Sequence, residues 1–71
     1  MDIQEIKNKI LFLLEENSNL TFDEIKKLLD WKGDSRPLRM ALSDLVRESK
    51  VERIPNYDRK RMVFKKVKND G

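Results

Sequence analysis

The feature that most constrains the fold is a change in the spacing of apolar residues after Lys50. Before this residue, three segments carry apolar side chains three and four positions apart, which places them on one face of an α-helix. After it, residues 51–54 and 62–67 are rich in strand-forming side chains and are separated by turn formers, as in a β-hairpin. The sequence therefore predicts an α+β fold in which three helices are followed by a hairpin.

Capping boxes indicate where the first two helices begin, because a side chain before the helix and an acidic residue three positions later satisfy the free N–H groups. Asp2 and Glu5 have this spacing at the first helix, and Thr21 and Glu24 have it at the second. The polar residues 17–19, with the sequence NSN, are expected to end the first helix after about four turns.

The third helix is expected to begin near Pro37, because proline is tolerated in the first turn, where its missing N–H would have no partner anyway. Ser35 or Arg36 would then be the N-cap residue. Gly33 suits a left-handed cap at the end of the second helix.

Each helix carries an apolar stripe for a shared core. The stripes comprise Ile3, Ile6, Ile10, Leu13 and Leu14 in the first helix, Phe22, Ile25, Leu28 and Leu29 in the second, and Leu38, Ala41, Leu42, Leu45 and Val46 in the third. The sequence predicts that Leu38, Leu42 and Leu45 pack against Ile6, Ile10, Ile25 and Leu29.

The opposite face of the third helix is cationic. At about 100° per residue, the side chains facing away from the core carry positive charge, and Asp44 lies only at the margin of this face. The face comprises Arg36, Met40, Ser43 and Arg47, with Arg39 and Lys50 along one edge.

Positive charge is also concentrated near the C-terminus, although the net charge of the chain is only +3. Residues 1–49 hold eight Lys and Arg against ten Asp and Glu, whereas residues 50–71 hold eight against three. Pro55 and Asn56 indicate the turn of the hairpin. The excess of positive charge in residues 50–71 indicates either a solvated surface or a surface that binds an anionic partner. The tip is expected to carry Asp58, Arg59, Lys60 and Arg61.

Composition argues against an enzyme. The chain has no Cys and no His, which removes the usual zinc ligands, the thiol nucleophile and the commonest general base. We therefore expect no catalytic residue, no metal site and no small-molecule cofactor. The acidic pairs at residues 15–16 and 23–24 are not accompanied by a Gly-rich or polar loop, and helix N-termini favour acids.

The sequence also gives no indication of a membrane segment. The longest apolar run, residues 10–14, is far shorter than the roughly 20 residues that span a bilayer. The N-terminus begins with helix-forming sequence rather than a signal peptide. At 71 residues, the chain is expected to form one cytoplasmic domain over residues 1–68, with residues 69–71 as a disordered tail.

The order of these elements resembles the winged helix-turn-helix domains, and the resemblance covers nearly the whole chain. LTFDEIKKLL is similar to the helix before the turn, SRPLRMALSDLVRESKVERIP to the recognition helix and first wing strand, and NYDRKRMVFKKV to the wing and return strand. The run L..AL..L…..VER and the Asp58-Arg59 tip resemble small archaeal or MarR-like regulators. The turn DWKGD is longer than the tightest turns of that family.

The resemblance implies binding of double-stranded DNA, with the third helix in the major groove and the wing against the backbone or minor groove. The chain would then be a transcription regulator or a small chromosome-associated protein at the nucleoid. Lys and Arg neutralise phosphates, Arg can contact guanine, and Met can contact the thymine methyl. Base contacts are expected from Arg36, Arg39, Met40, Ser43 and Arg47, phosphate contacts from Arg59, Lys60 and Arg61, and further contacts from Lys50 and Tyr57, although Tyr57 could instead lie over its own hairpin.

Two other features have alternative interpretations. Arg47 and Lys50 could pair with the nearby Asp44 and Glu48 on a solvated helix, where such pairs are common and weak. Trp31 follows the apolar stripe of the second helix and is expected to cover the core rather than stack on bases.

Phe12 does not fit the core of a simple monomer. It lies about 180° from Ile10 on the first helix, among Glu5, Lys9 and Glu16. An exposed Phe12 could belong to a homodimer or to a protein partner bound through the first helix. The alternative function is therefore a winged-helix protein interaction module within a larger assembly.

Overall fold

The computed structural model describes residues 2–67 and contains three helices followed by a two-stranded antiparallel hairpin. The predicted α+β class and element order are therefore confirmed. The domain end predicted at residue 68 and the tail predicted over 69–71 lie outside the described residues. The elements are α1 (Ile3–Glu16), α2 (Phe22–Leu28), α3 (Arg36–Arg47), β1 (Val51–Asn56) and β2 (Arg61–Lys66).

The capping box predicted at the second helix is present, whereas the one predicted at the first is not. The Thr21 hydroxyl accepts a hydrogen bond from the Glu24 N–H at 3.2 Å, and the Glu24 carboxylate accepts one from the Thr21 N–H at 2.8 Å. Asp2 occupies the N-cap position of α1, but its side chain makes no capping hydrogen bond. Asp2 and Glu5 are both exposed, so water can satisfy the free N–H groups at this end.

α2 ends at a different residue from the one predicted, and Gly33 does not cap it. The left-handed residue after the helix is Asp30, with a φ of 52°, and the Trp31 N–H donates to the Lys26 carbonyl at 2.9 Å. This is a Schellman-type helix end. Gly33 is also left-handed, with a φ of 84°, but it lies in the connection to α3. Leu28 is 52% exposed, so its predicted core position is wrong.

The turn of the hairpin lies further along the chain than predicted. Pro55 and Asn56 belong to β1 and pair with β2, and residues 57–60 form the turn. Proline is tolerated here because β1 pairs only with β2 among residues 2–67 and is therefore an edge strand. Asn56 still supports the turn, because its Oδ1 accepts a hydrogen bond from the Arg59 N–H at 3.1 Å.

A contact that the sequence did not predict attaches the hairpin to the helices. Leu20, between α1 and α2, forms an isolated antiparallel bridge with Phe64 of β2. The two N–H···O distances are 3.1 and 2.7 Å. Because Phe64 also pairs with Arg53 of β1, β2 lies between β1 and Leu20. The hairpin is thereby held next to the start of α2.

The core lies between the three helices and the start of β1. The predicted packing is confirmed for Leu38, Leu42 and Leu45 against the residues of α1 and α2, except that Leu29 is only partly buried. Ser35 is the N-cap of α3, as expected, with proline in the first turn. None of the helices within residues 2–67 is long and apolar enough to cross a membrane. The core cluster comprises Ile6, Ile10, Leu14, Leu20, Ile25, Leu38, Ala41, Leu42, Leu45 and Val51.

Candidate nucleic-acid interface

The outer face of α3 is solvent-exposed over its whole length. Burial of the apolar stripe on the inner side fixes the rotation of this helix, so the predicted polar face points away from the core. No acidic residue occurs between Arg36 and Ser43. The exposed side chains on this face are Arg36, Arg39, Met40, Ser43 and Arg47, as predicted, and Lys50 follows the helix and is also exposed.

Three of these cations have carboxylate partners close by in the chain. The Arg36 guanidinium lies 2.8 Å from Asp34 and holds the pKa of that carboxyl below its usual range. Arg47 lies 3.4 Å from Asp44, and Lys50 lies 3.8 Å from the Glu48 carboxylate. The alternative interpretation, in which Arg47 and Lys50 pair with nearby acids, is therefore confirmed. Exposed pairs of this kind are weak, so an anionic partner can displace them.

Lys7 of α1 influences the charge at the end of α3, and its role was not predicted. This lysine is only 8% exposed, and its Nζ lies 2.6 Å from Glu48 and 4.0 Å from Asp44. The Lys7 ammonium lowers the pKa of the Glu48 carboxyl. Both acids beside the outer face of α3 are therefore partly neutralised from α1. A signal was present in the sequence, because Lys7 lies at helical spacing between Ile3 and the rest of the apolar stripe.

Arg39 connects α3 to the start of α2. Its guanidinium carbon lies 4.9 Å from the centre of the Phe22 ring, which is a favourable cation–π distance. Phe22 is half-buried, so the ring provides a firm support. Arg39 forms no ion pair with a carboxylate among residues 2–67.

A groove of about 470 Å³ lies between α3, the start of α2 and the hairpin. Most of its apolar lining is half-buried or buried, although Met62 is 42% exposed, and cations from both α3 and the hairpin border it. One of these, Arg53, was missed in the sequence because it lies in a strand outside the charged tip. Asp23 also lines the groove, so three arginines and one carboxylate surround its apolar surface. The apolar lining comprises Phe22, Leu42, Val46, Met62 and Phe64, and the cations are Arg39, Arg53 and Arg61.

The tip of the hairpin is not a set of three equivalent cations. The Arg59 guanidinium lies 3.1 Å from the Glu24 carboxylate, and Arg61 lies 3.1 Å from Asp23. Lys60 has no carboxylate partner within residues 2–67. The sequence did not predict these contacts, because the partners are 35 and 38 residues apart.

Glu24 takes part in two interactions at once. The Arg59 guanidinium and the Thr21 N–H lower the pKa of Glu24 from its ordinary value of 4.5 to about 2. The carboxylate therefore stays ionised at neutral and mildly acidic pH, and the contact with Arg59 is available throughout that range.

The two aromatic residues with alternative interpretations differ in their surroundings. Tyr57 is 85% exposed, so it does not pack over its own hairpin and remains available to a partner. Trp31 is partly buried against the core, and its Nε1–H donates to the Asp34 carbonyl at 2.9 Å. This supports the expected role of Trp31 as a cover for the core.

Phe12 is 63% exposed on α1, as its position opposite the core stripe predicted.

No protein-family model, no curated protein and no solved structure matches this chain.

Proposed function

We propose that this chain is a winged helix-turn-helix domain that binds double-stranded DNA. In this proposal α3 lies in the major groove and the hairpin lies against the backbone. The order of three helices and a hairpin supports the proposal. So does size, because an α-helix such as α3 is about 10–12 Å across with its side chains, and the major groove is about 12 Å wide.

The exposed cationic face of α3 is the observation that carries the proposal. DNA affinity requires cations that reach phosphates, and sequence recognition requires side chains that reach base edges from a rigid element. Arg39, Met40 and Ser43 project from the middle of α3, and the phenyl ring under Arg39 orients its guanidinium. Arg36 and Arg47 flank them in weak pairs that phosphates can replace.

The hairpin adds a second contact surface in the same proposal. Lys60 and Tyr57 are exposed at the turn, where a phosphate or sugar could approach them. Contacts to the backbone fix the register of a protein on the duplex but carry no sequence information. A transcription regulator and a chromosome-associated protein would therefore differ in how strongly α3 discriminates between DNA sequences. The hairpin would contact the DNA backbone in both cases.

Titration with a mixed-sequence DNA duplex, monitored by amide NMR shifts, tests this function. We expect the shifts to be confined to residues 36–47 and to the hairpin turn, and to diminish at high salt, because phosphate contacts release counterions. Absence of shifts at low salt, or shifts confined to α1, would contradict DNA binding through α3.

A second candidate function is a protein interaction module, and exposed Phe12 is the observation that favours it. A phenylalanine that is 63% exposed can be buried by a second copy or by another protein. On this alternative, replacing Phe12 with serine should leave the fold intact and shift the mass measured by sedimentation velocity toward that of the monomer.

The matched control for that experiment is Leu28→Ser, which changes an exposed leucine on α2 and should leave the mass unchanged. A wild-type chain that already sediments as a monomer at high concentration would remove the homodimer from consideration.

A further inference from the structure

Two ion pairs join the start of α2 to the tip of the hairpin, and we call them the α2–hairpin ion pairs. They are formed by Glu24 with Arg59 and by Asp23 with Arg61, each at 3.1 Å. Both arginines are among the residues expected to contact phosphates. In the unbound chain these guanidinium groups are therefore already engaged by carboxylates.

The partners are held in place by local structure on both sides. Glu24 is positioned by its capping hydrogen bonds with Thr21, and the Arg59 backbone is held by the Asn56 side chain. Arg61 is the first residue of β2. The Leu20–Phe64 bridge keeps the hairpin beside α2. The fold therefore places the carboxylates of α2 and the arginines of the hairpin next to each other.

The same contacts are exposed enough to be exchanged. The four side chains retain between 39% and 68% of their accessible surface, so each pair is weak and is screened by salt. A carboxylate and a phosphate present similar oxygen pairs to a guanidinium. A DNA phosphate can therefore take the place of Asp23 or Glu24, but it must compete with them.

We propose that Asp23 and Glu24 regulate the DNA-binding surface by withholding Arg59 and Arg61 from phosphates. This inference rests on the proposed DNA-binding function and concerns the same surface. While the α2–hairpin ion pairs are closed, Lys60 is the tip cation that remains for the backbone. The pairs thereby lower the affinity for DNA and its dependence on salt, and opening them adds two phosphate contacts.

A double-mutant cycle tests the inference, with the affinity for a mixed-sequence duplex measured by fluorescence anisotropy over a range of salt concentrations. The first variant, Asp23→Asn with Glu24→Gln, removes both carboxylate charges, and glutamine at position 24 can still complete the capping box. We expect the slope of log K against log salt to become steeper by up to about 1.8, since each phosphate contact contributes about 0.9.

The second arm of the cycle replaces both arginines, Arg59→Gln and Arg61→Gln. In the wild-type background we expect a fall in the slope that is clearly smaller than about 1.8, because Asp23 and Glu24 compete with phosphates for the two guanidinium groups. In the background without the carboxylates, the same replacement should lower the slope by about 1.8. The arginine replacements change the net charge equally in both backgrounds. A difference between the two slope changes therefore reports whether the arginines were paired with Asp23 and Glu24.

A matched control carries the same change of net charge at a distance from the hairpin. Glu5→Gln with Glu16→Gln alters two exposed acids of α1. In this control background, the arginine replacements should change the salt slope no more than they do in the wild-type chain. Equal effects of the arginine replacements in the two main backgrounds would overturn the inference while leaving DNA binding intact. If the carboxylate variant failed to fold, a fall of about 1.8 on replacing the arginines in the wild-type chain would overturn it as well. A wild-type chain that binds no duplex at low salt would overturn both proposals.

Discussion

Replacement of Leu42 with alanine should lower the free energy of unfolding by about 2–5 kcal/mol, as expected for a large-to-small change in a packed core. Leu42 is only 3% exposed and lies in the cluster that joins α3 to α1, α2 and β1. The loss combines the apolar surface that is no longer buried with the cavity that remains. Urea denaturation followed by circular dichroism measures it directly.

The chain provides its own control, Leu28→Ala, which deletes the same atoms from a side chain that is 52% exposed. Surface changes of this kind usually fall within about 0.5 kcal/mol. A loss below about 0.5 kcal/mol for Leu42→Ala would mean that α3 is not packed on the core as described. Leu42 also lines the groove, so this variant is informative for stability rather than for binding.

Replacement of Arg36, Arg39 and Arg47 with glutamine should weaken binding to duplex DNA more than any other change of three charges. Each arginine that contacts a base should contribute about 1–3 kcal/mol on a preferred sequence. Each one that contacts a phosphate should reduce the salt slope by about 0.9. We therefore expect a loss of affinity of about tenfold or more. The slope of log K against log salt should become shallower by up to about 2.7. Fluorescence anisotropy measures both.

The control for this variant removes three exposed lysines elsewhere, Lys9, Lys27 and Lys65. It produces the same net charge while leaving the outer face of α3 unchanged. We expect a much smaller loss of affinity, because distant exposed charges are largely screened at ordinary salt. Equal weakening by both variants would indicate that net charge governs binding and that α3 is not the contact surface.

Much of the helical structure follows from local spacing. The apolar stripes predicted the buried side of each helix, because residues three and four apart share a face whatever surrounds them. The Thr21 and Glu24 capping box was predicted for the same reason, since its two partners lie within one turn. Its counterpart at Asp2 failed because the exposed end of α1 has water as an alternative partner.

The outer face of α3 was predicted well, whereas the electrostatics around it were not. Once the inner stripe of α3 is buried, the direction of Arg39, Met40 and Ser43 follows from helical geometry. The burial of Lys7 and its contact with Glu48 depend on how α1 meets the end of α3, which local spacing does not encode. The cations of the hairpin were likewise visible in the sequence, but their partners were not.

The amino-acid sequence by itself determined the three amphipathic helices, the place of a hairpin after the third helix and the cationic outer face of α3. Each of these depends on residues within a few positions of one another. The tertiary structure alone decided that Leu20 pairs with Phe64 and that Arg59 and Arg61 meet acids on α2. The partners in these contacts are 35 or more residues apart. They meet because the buried stripes pack the helices into one core and the hairpin must then run past α2, a result of packing that no local pattern contains.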